Sequence, residues 1–107
     1  MKKGMTKVSV FYPNTDGKKF NMAYYCERHV PLVSKTLGKA LKGESYDQGM
    51  GGGAPGSKAP FVAIAHLYFN SMDEFGQAFA TGAPILMADI PNFTDIEPMI
   101  QVSEVVA

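Results

Sequence analysis

Apolar and polar residues follow two spacings along this chain, and each spacing predicts one kind of element. Segments rich in alternating, β-branched and aromatic residues predict four strands, at residues 7–12, 44–50, 61–69 and 97–106. Apolar residues three or four positions apart predict two helices, one after the first strand and one after the third. The predicted order is therefore strand, helix, strand, strand, helix, strand.

The first helix is predicted to begin after Asn21, whose side chain can accept a hydrogen bond from a first-turn amide. Pro31 interrupts the helical pattern because it lacks an amide donor and disfavours α geometry at the preceding residue, so we expect a kink near His29. The helix is predicted to continue to Leu37 and to stop at Gly38. Its predicted buried face consists of Met22, Tyr25, Cys26, His29, Val33 and Leu37.

The second helix is predicted to begin after Ser71, with Glu74 three residues on to complete a capping box. Gly82 is predicted to end it, and residues 83–93, which contain two prolines, are interpreted as a short apolar turn. The predicted buried stripe of this helix consists of Met72, Phe75 and Phe79.

The order of these elements predicts an α+β fold. With right-handed crossovers it gives the ferredoxin-like βαββαβ arrangement, in which two helices cover one face of an antiparallel sheet. Residues 1–107 are interpreted as a single domain, since the chain is too short for two.

The Gly- and Pro-rich segment at residues 49–60 lies between two strands of that domain, and we interpret it as a hairpin loop. It has few apolar anchors, so we expect it to be mobile.

The predicted strand at residues 61–69 is largely apolar on both sides. One side carries Phe61, Ala63, Ala65, Leu67 and Phe69, and the other carries Val62, Ile64, His66 and Tyr68. An antiparallel sheet with one open face would instead alternate apolar and polar residues. Because the helices cover only one face and no spare element remains, we expect a homodimer in which a second copy covers the other face. The alternative is a monomer with an unusually apolar open face.

Composition and charge argue against several kinds of partner. Lys+Arg and Asp+Glu number 10 each, with no long run of either sign, so neither nucleic acid nor a membrane surface is predicted as a partner. No segment approaches the roughly 20 apolar residues that span a bilayer. The single cysteine, Cys26, cannot form an internal disulfide, which fits a reducing compartment, and we expect a cytoplasmic protein.

Polar residues in apolar surroundings are the candidates for chemistry. Tyr25 and His29 are four residues apart on the first helix, so they share a face and can meet one ligand. Histidine transfers protons near neutral pH, and we expect this pair to be catalytic; the alternative is that His29 bonds to local backbone. Ligand contacts are also expected from three strand residues, Tyr12, His66 and Tyr68. For His66, the alternative of a hydrogen-bonded core histidine is favoured by its apolar strand.

Other polar residues are interpreted as structural. Two histidines without suitably spaced carboxylates do not supply the three or four ligands of a metal site, so neither a metal nor a cofactor is predicted. Cys26 is interpreted as an inert thiol of the core. Asp89, Asp95 and Glu97, in the late part of the chain, are interpreted as turn and cap residues.

The segment around His29 resembles the signature of the EthD-like family, which is aromatic–cap–x–x–Tyr-Tyr–x–x–x–His–x–Pro-Leu. Here residues 20–32 read FNMAYYCERHVPL, and Asn21 stands where Asp is commoner in the family. Residues 89–98 and 101–105 are similar to the late segment and the final strand of that family. The resemblance covers nearly the whole chain and implies a dimeric α+β barrel, in which two sheets pack face to face.

The family is named for a protein of ethyl tert-butyl ether degradation, and related dimeric barrels include cofactor-free monooxygenases, lactone isomerases and polyketide cyclases. The resemblance therefore implies a small apolar or aromatic ligand, held between sheet and helices, in a catabolic or secondary-metabolic pathway. One hypothesis is an enzyme of cofactor-free isomerisation or oxidation, with His29 as acid or base and Tyr25 orienting the substrate. The alternatives are a non-catalytic accessory or carrier protein of a degradation operon and a purely structural assembly module.

Overall fold

Four strands and two helical regions follow one another along residues 2–107, the part of the chain that the computed structural model describes. The elements are β1 (Thr6–Pro13), α1 (Met22–Tyr24), α2 (Val30–Leu37), β2 (Gly43–Gln48), β3 (Phe61–Phe69), α3 (Met72–Asp89) and β4 (Met99–Glu104), with a π-helical turn at Tyr25–His29 and 3-10 turns at Gly38–Ala40 and Ile90–Asn92. The strands form one antiparallel sheet in the order β2-β3-β1-β4. This is the ferredoxin-like βαββαβ topology, so the predicted α+β fold class is confirmed.

The first helical region begins where the sequence predicts it. Asn21 caps the region, since its side-chain oxygen accepts a hydrogen bond of 3.0 Å from the amide of Tyr24. Pro31 has no amide to donate and crowds the turn before it. The chain accommodates this proline with the π turn Tyr25–His29, where an amide bonds to the carbonyl five residues back. The kink expected near His29 is therefore a widened turn.

The widened turn changes which side chains are buried. Tyr25 and His29 stay on the buried face, at 2% and 5% exposed. Cys26 is exposed, so its prediction as a core thiol is wrong. The reason is the extra residue in the π turn, which rotates Cys26 away from the buried face. Gly38, with a φ of 57°, ends α2 as predicted.

Helix α3 is longer than the sequence predicts. Ser71 caps it by accepting a hydrogen bond of 3.2 Å from the amide of Glu74, as expected. The helix then passes through Gly82 and ends at Asp89, so the prediction of an end at Gly82 is wrong. Met72, predicted to be part of the buried stripe, is 58% exposed because it belongs to the first turn, at the edge of the packed surface.

Gly82 and Pro84 are tolerated inside α3 for different reasons. A Cβ atom at Gly82 would lie 3.0 Å from Thr36 Cγ2 and 3.3 Å from Leu37 Cδ2, so glycine allows α3 to approach α2 closely. Pro84 leaves the carbonyl of Ala80 without its helical donor. Ala80 is exposed, so water can take the place of that donor. The predicted turn after Gly82 is therefore mostly helical.

Replacing Gly82 by valine is expected to lower the free energy of unfolding by about 1–3 kcal/mol, because the added atoms overpack the contact between α2 and α3. Gly76→Ala in the same helix is the matched control, since a Cβ atom there meets nothing within 4 Å. This control is expected to raise stability by about 0.5–1 kcal/mol. Urea denaturation measures both variants, and a G82V protein as stable as the wild type would contradict the close approach of the helices.

The helices cover one face of the sheet, which we call the inner face, and two apolar clusters form there. The first cluster consists of Val8, Val33, Leu37, Leu67, Phe69 and Leu86. The second consists of Tyr12, Tyr25, Ala63, Phe93 and Ile96. Both clusters join side chains of the sheet to side chains of helices or of the segment after α3, which fixes the helices against the sheet.

A β-bulge changes the predicted sides of the first two residues of β3. The register between β1 and β3 shifts between Tyr12 and Pro13. Phe61 was predicted to share a side with Ala63, but its ring packs 5.1 Å from that of Phe11, on the opposite face. Val62 instead packs against the inner cluster. The extra residue of the bulge exchanges the two sides at this end of the strand.

The opposite face of the sheet, which we call the outer face, is only partly polar. Phe11, Ile64, His66 and Tyr68 lie on it and are partly exposed, and no helix of residues 2–107 packs there. On the edge strand β4, Met99 pairs with Phe11 and is 58% exposed. The outer face is the surface for which the sequence predicts a second copy of the chain.

The loop between β2 and β3 is anchored at its two ends. The amide of Gly49 donates to the carbonyl of Val62 over 2.8 Å, and Asn14 Nδ2 donates to the carbonyl of Ala59 over 2.9 Å. These bonds hold the ends of the segment at residues 49–60 against the sheet. The expected mobility of its middle stays a prediction.

Neither a membrane-spanning helix nor a metal cluster is found in residues 2–107. The helices of this part of the chain are too short or too polar to cross a membrane. No three side chains of the types His, Cys, Asp and Glu come together there as metal ligands would.

Candidate functional site

A cavity lies between the inner face of the sheet and the helices α2 and α3. Its volume is about 50 Å³. Its walls are mostly apolar and include Val10, Val33, Leu67, Leu86, Ile90 and Ile100. Its polar residues are Tyr12, Tyr25, His29 and Tyr46, and none of the described residues that line it is Lys, Arg, Asp or Glu. An apolar cleft with a few convergent polar groups is typical of a small-molecule site.

Tyr25 lines this cavity and carries a buried hydroxyl without a partner in residues 2–107. The residue is 2% exposed, and its hydroxyl oxygen has no hydrogen-bond partner in the described part of the chain. Burial raises the pKa of Tyr25, so the hydroxyl stays protonated at neutral pH and can donate. Buried polar groups in proteins almost always have a partner. The Tyr25 hydroxyl therefore indicates a partner that residues 2–107 do not themselves supply.

His29 stands at the end of the π turn and is held by Asp89. His29 Nδ1 lies 2.8 Å from Asp89 Oδ2, and 6% of the His29 side chain is exposed. The imidazole stacks on the ring of Tyr25, with centroids 5.9 Å apart and an interplanar angle of 17°. It also packs 4.6 Å from the ring of Phe93. Because Nδ1 is occupied, Nε2 is the ring nitrogen left for a ligand.

Asp89 is itself fixed by two further donors. Its Oδ1 accepts a hydrogen bond of 2.7 Å from the Tyr24 hydroxyl and one of 3.0 Å from Asn92 Nδ2. Burial acts to raise the pKa of Asp89, but hydrogen bonds from Asn92, His29 and Tyr24 outweigh it and hold that pKa below its usual range. Asp89 is therefore a carboxylate at neutral pH. Since a carboxylate only accepts, it selects the His29 tautomer that carries its proton on Nδ1.

Tyr12 and Tyr46 complete the polar part of the wall. The Tyr46 hydroxyl donates to Glu44 Oε1 over 2.9 Å, and Ser34 donates to the same oxygen over 2.6 Å. The ring of Tyr12 packs edge-on against that of Tyr25, with centroids 5.8 Å apart. Burial raises the pKa of both Tyr12 and Tyr46, with the bond to Glu44 adding to the rise for Tyr46. Both are therefore neutral phenols.

The structure separates His66 and Tyr68 from the other predicted site residues. Both lie on the outer face, across the sheet from the cavity. His66 Nε2 lies 3.0 Å from Asp47 Oδ2, and its Nδ1 is buried with no partner in residues 2–107. Lys7 Nζ lies 5.7 Å from the centre of the Tyr68 ring. Ligand contacts by His66 and Tyr68 stay predictions, and the cavity brings together the three other predicted residues.

The sequence pattern did not reveal Tyr46, which lines the cavity, or Asp89. Asp89 is 60 positions away from His29 in the chain, and a single Asp beside prolines and an asparagine is typical of a turn. The available signal was its position as the first residue of the late segment that resembles the EthD-like family. That resemblance could have paired Asp89 with the histidine of the helical signature.

Comparisons with known proteins agree with this resemblance. The EthD domain family matches residues 15–97. The structure is similar to that of an EthD-like protein from Ralstonia eutropha JMP134, which is 40% identical over 99% of this chain and 96% of that chain, with a TM-score of 0.91. An ethyl tert-butyl ether D (EthD) family protein from Bacillus halodurans C-125 is 17% identical over 91% of this chain and 96% of that chain, with a TM-score of 0.61. A dimeric ferredoxin-like protein from Thermobifida fusca YX is 12% identical over 97% of this chain and 93% of that chain, with a TM-score of 0.57. Comparison with curated proteins gave no match.

The family match covers most of the chain, from the turn after β1 to the residues just before β4. It contains both parts of the site, since the helical signature holds His29 and the late segment holds Asp89. The two parts meet in the hydrogen bond of 2.8 Å between these residues. The chain belongs to the EthD domain family.

Proposed function

We propose that this chain acts as a homodimer that binds a small, mostly apolar molecule in the cavity, and that His29 acts on this molecule as a general acid or base. The observation that carries the proposal is the bond of 2.8 Å between Asp89 and His29, a residue that lines a mostly apolar cavity. A carboxylate that orients an imidazole beside a substrate is the arrangement that many proton-transfer enzymes use. The name of the family supports a catabolic or secondary-metabolic setting.

Binding of a ligand is supported by the unpaired hydroxyl of Tyr25. A purely structural module would gain stability by filling the cavity and by pairing or removing this hydroxyl. The chain instead keeps the cavity open and keeps the buried hydroxyl of Tyr25, a residue that lines the cavity. Both features favour a site that a small molecule completes.

The homodimer is supported by the outer face of the sheet. The rings of Phe11 and Phe61 pack together there, 5.1 Å apart, and Ile64 is their neighbour across from Phe11. Pairing of two outer faces about a two-fold axis would cover these side chains in both copies. The Thermobifida fusca protein, which has the same fold, is described as dimeric.

Naphthalene is a suitable first probe, because it is apolar, planar and small. It is expected to raise the melting temperature of the wild type but not that of Ala83→Leu, since Ala83 lines the cavity and the larger side chain would fill it. Ala88→Leu is the matched control, because Ala88 is exposed on the same helix and does not line the cavity. Thermal denaturation with and without naphthalene measures all three proteins.

The outcomes separate the possibilities. A melting temperature of A83L that rises as much as that of the wild type would place naphthalene elsewhere and contradict the cavity as the site. No rise in any of the three proteins would contradict an apolar ligand. A non-catalytic carrier would give the expected binding result, but it would not exchange protons with a bound substrate.

A further inference from the structure

On the basis of the proposed function, we propose that the substrate is an enolisable carbonyl compound. The Tyr25 hydroxyl donates a hydrogen bond to the carbonyl oxygen, and His29 Nε2, oriented by Asp89, takes a proton from the adjacent carbon. Tyr25 and His29 are the catalytic residues of this assignment, and Asp89 is a positioning residue.

The Tyr25 hydroxyl is matched to a neutral oxygen acceptor. It belongs to a residue that lines the cavity, it is buried with no partner in residues 2–107, and burial favours its protonated form. Such a group is a hydrogen-bond donor without an acceptor. A carboxylate or phosphate substrate would need a cation, and no Lys or Arg is among the described residues that line the cavity. The carbonyl oxygen of an apolar molecule can accept this hydrogen bond and needs no cation.

The rings that carry the proposed donor and the proposed base are stacked on each other. Tyr25 and His29 are the first and last residues of the π turn, and their ring centroids lie 5.9 Å apart at an interplanar angle of 17°. Both residues line one cavity. In the proposed complex, a single small molecule contacts the Tyr25 hydroxyl and His29 Nε2. A carbonyl oxygen and the hydrogen on the neighbouring carbon are two such adjacent points of contact.

The proton transfer is balanced without any co-reactant. His29 Nε2 accepts the proton from the carbon, and the electron pair of that C–H bond becomes the C=C bond of the enolate. The carbonyl π pair moves onto oxygen, where the Tyr25 O–H stabilises the negative charge. The imidazolium that forms is stabilised by the Asp89 carboxylate through Nδ1–H. Return of the proton to the same carbon restores the substrate, and its return to a conjugated position gives an isomer.

The test uses 2-tetralone, a bicyclic ketone with acidic hydrogens beside its carbonyl, in deuterated water. The wild type is expected to accelerate deuterium incorporation over the same buffer without protein, as followed by proton NMR. His29→Gln is expected to lose this acceleration. Tyr25→Phe is expected to lower the rate by roughly 10²–10³-fold, as for removal of one donor to an oxyanion.

Binding of 2-naphthol, which resembles the enol, is expected to be at least roughly tenfold tighter than that of naphthalene in the wild type only.

Folding of the variants is checked separately. Tyr25→Phe removes a buried unpaired hydroxyl, so its melting temperature without ligand is expected to equal or exceed that of the wild type. Thermal denaturation of Tyr25→Phe and His29→Gln is expected to be cooperative, which separates loss of exchange from loss of folding.

Each outcome bears on one part of the assignment. If naphthalene binds but 2-tetralone does not exchange and 2-naphthol binds no tighter, the carbonyl substrate class is overturned and the apolar site stands. If none of the three compounds binds, both the carbonyl substrate class and the proposed function are overturned. If Tyr25→Phe exchanges 2-tetralone as fast as the wild type, the role of Tyr25 is overturned.

Discussion

Changing Asp89 to asparagine is expected to lower the rate of exchange into 2-tetralone by roughly 10²–10⁴-fold, the range typical of a positioned acid–base group. Tyr24 and Asn92 both donate to Asp89 Oδ1, so in the variant the amide oxygen must occupy that position. The amide nitrogen then takes the place of Oδ2 and faces His29 Nδ1. Because this nitrogen is a donor, it favours the tautomer with the proton on Nε2. His29 then has no lone pair with which to accept a substrate proton.

The tautomer can be measured independently of the reaction. NMR of the imidazole nitrogens is expected to show the proton on Nδ1 in the wild type and on Nε2 in Asp89→Asn. Asp95→Asn is the control, since Asp95 is exposed, accepts from the amide of Lys19 over 2.8 Å and does not line the cavity. It is expected to keep the wild-type tautomer and rate. Undiminished exchange by an Asp89→Asn protein with the altered tautomer would contradict His29 as the base.

The stability advantage of the wild type over Asp89→Asn is expected to depend on pH in a defined direction. The pKa of Asp89 is lowered from its ordinary value of 3.8, so the folded state holds this proton less tightly than the unfolded state does. The stabilisation is therefore fully present above the unfolded-state pKa and is lost as the pH falls through the folded-state pKa. Urea denaturation is expected to show the wild type losing its advantage over the variant below about pH 4. An advantage that does not change with pH would contradict an ionised Asp89.

The features that the sequence predicted correctly are those that local physics determines. Asn21 and Ser71 cap their helices because each needs only a nearby free amide. Pro31 disturbs the helix wherever that helix packs, since its missing donor is a property of the residue itself. The strand at Phe61–Phe69 was predicted with its observed bounds because β-rich residues fill it from end to end.

The features that the sequence did not predict depend on contacts between distant segments. Gly82 lies inside α3 at the point where α2 passes close to it, and nothing local to α3 reveals that neighbour. Asp89 is a site residue only because the fold brings it to His29. The side of the sheet on which His66 lies, away from the cavity, depends on which face the helices cover. Period-two alternation along the strand does not determine this when both sides are apolar.

Changing Ile64 to lysine is expected to convert the proposed homodimer into a folded monomer. Ile64 lies on the outer face of β3, paired with Phe11 of β1 on one side and Asp47 of β2 on the other. In the monomer, the new ammonium group is solvated and can pair with Asp47 across the strands, so the fold is kept. In the dimer, two-fold symmetry would bury two added charges, each at a cost of several kcal/mol. The dissociation constant is therefore expected to rise by roughly 10³-fold or more.

Sedimentation velocity over a range of concentrations measures this change. Ile85→Lys is the matched control, because Ile85 is 51% exposed on α3 and receives the same charge on the helical side of the molecule. It is expected to remain a dimer. If I64K and I85K are both dimeric, the outer face is not the interface. If both are monomeric, the added charge causes dissociation wherever it is placed. Because the cavity lies on the inner face, monomeric I64K is expected to bind naphthalene as the wild type does, which separates assembly from ligand binding.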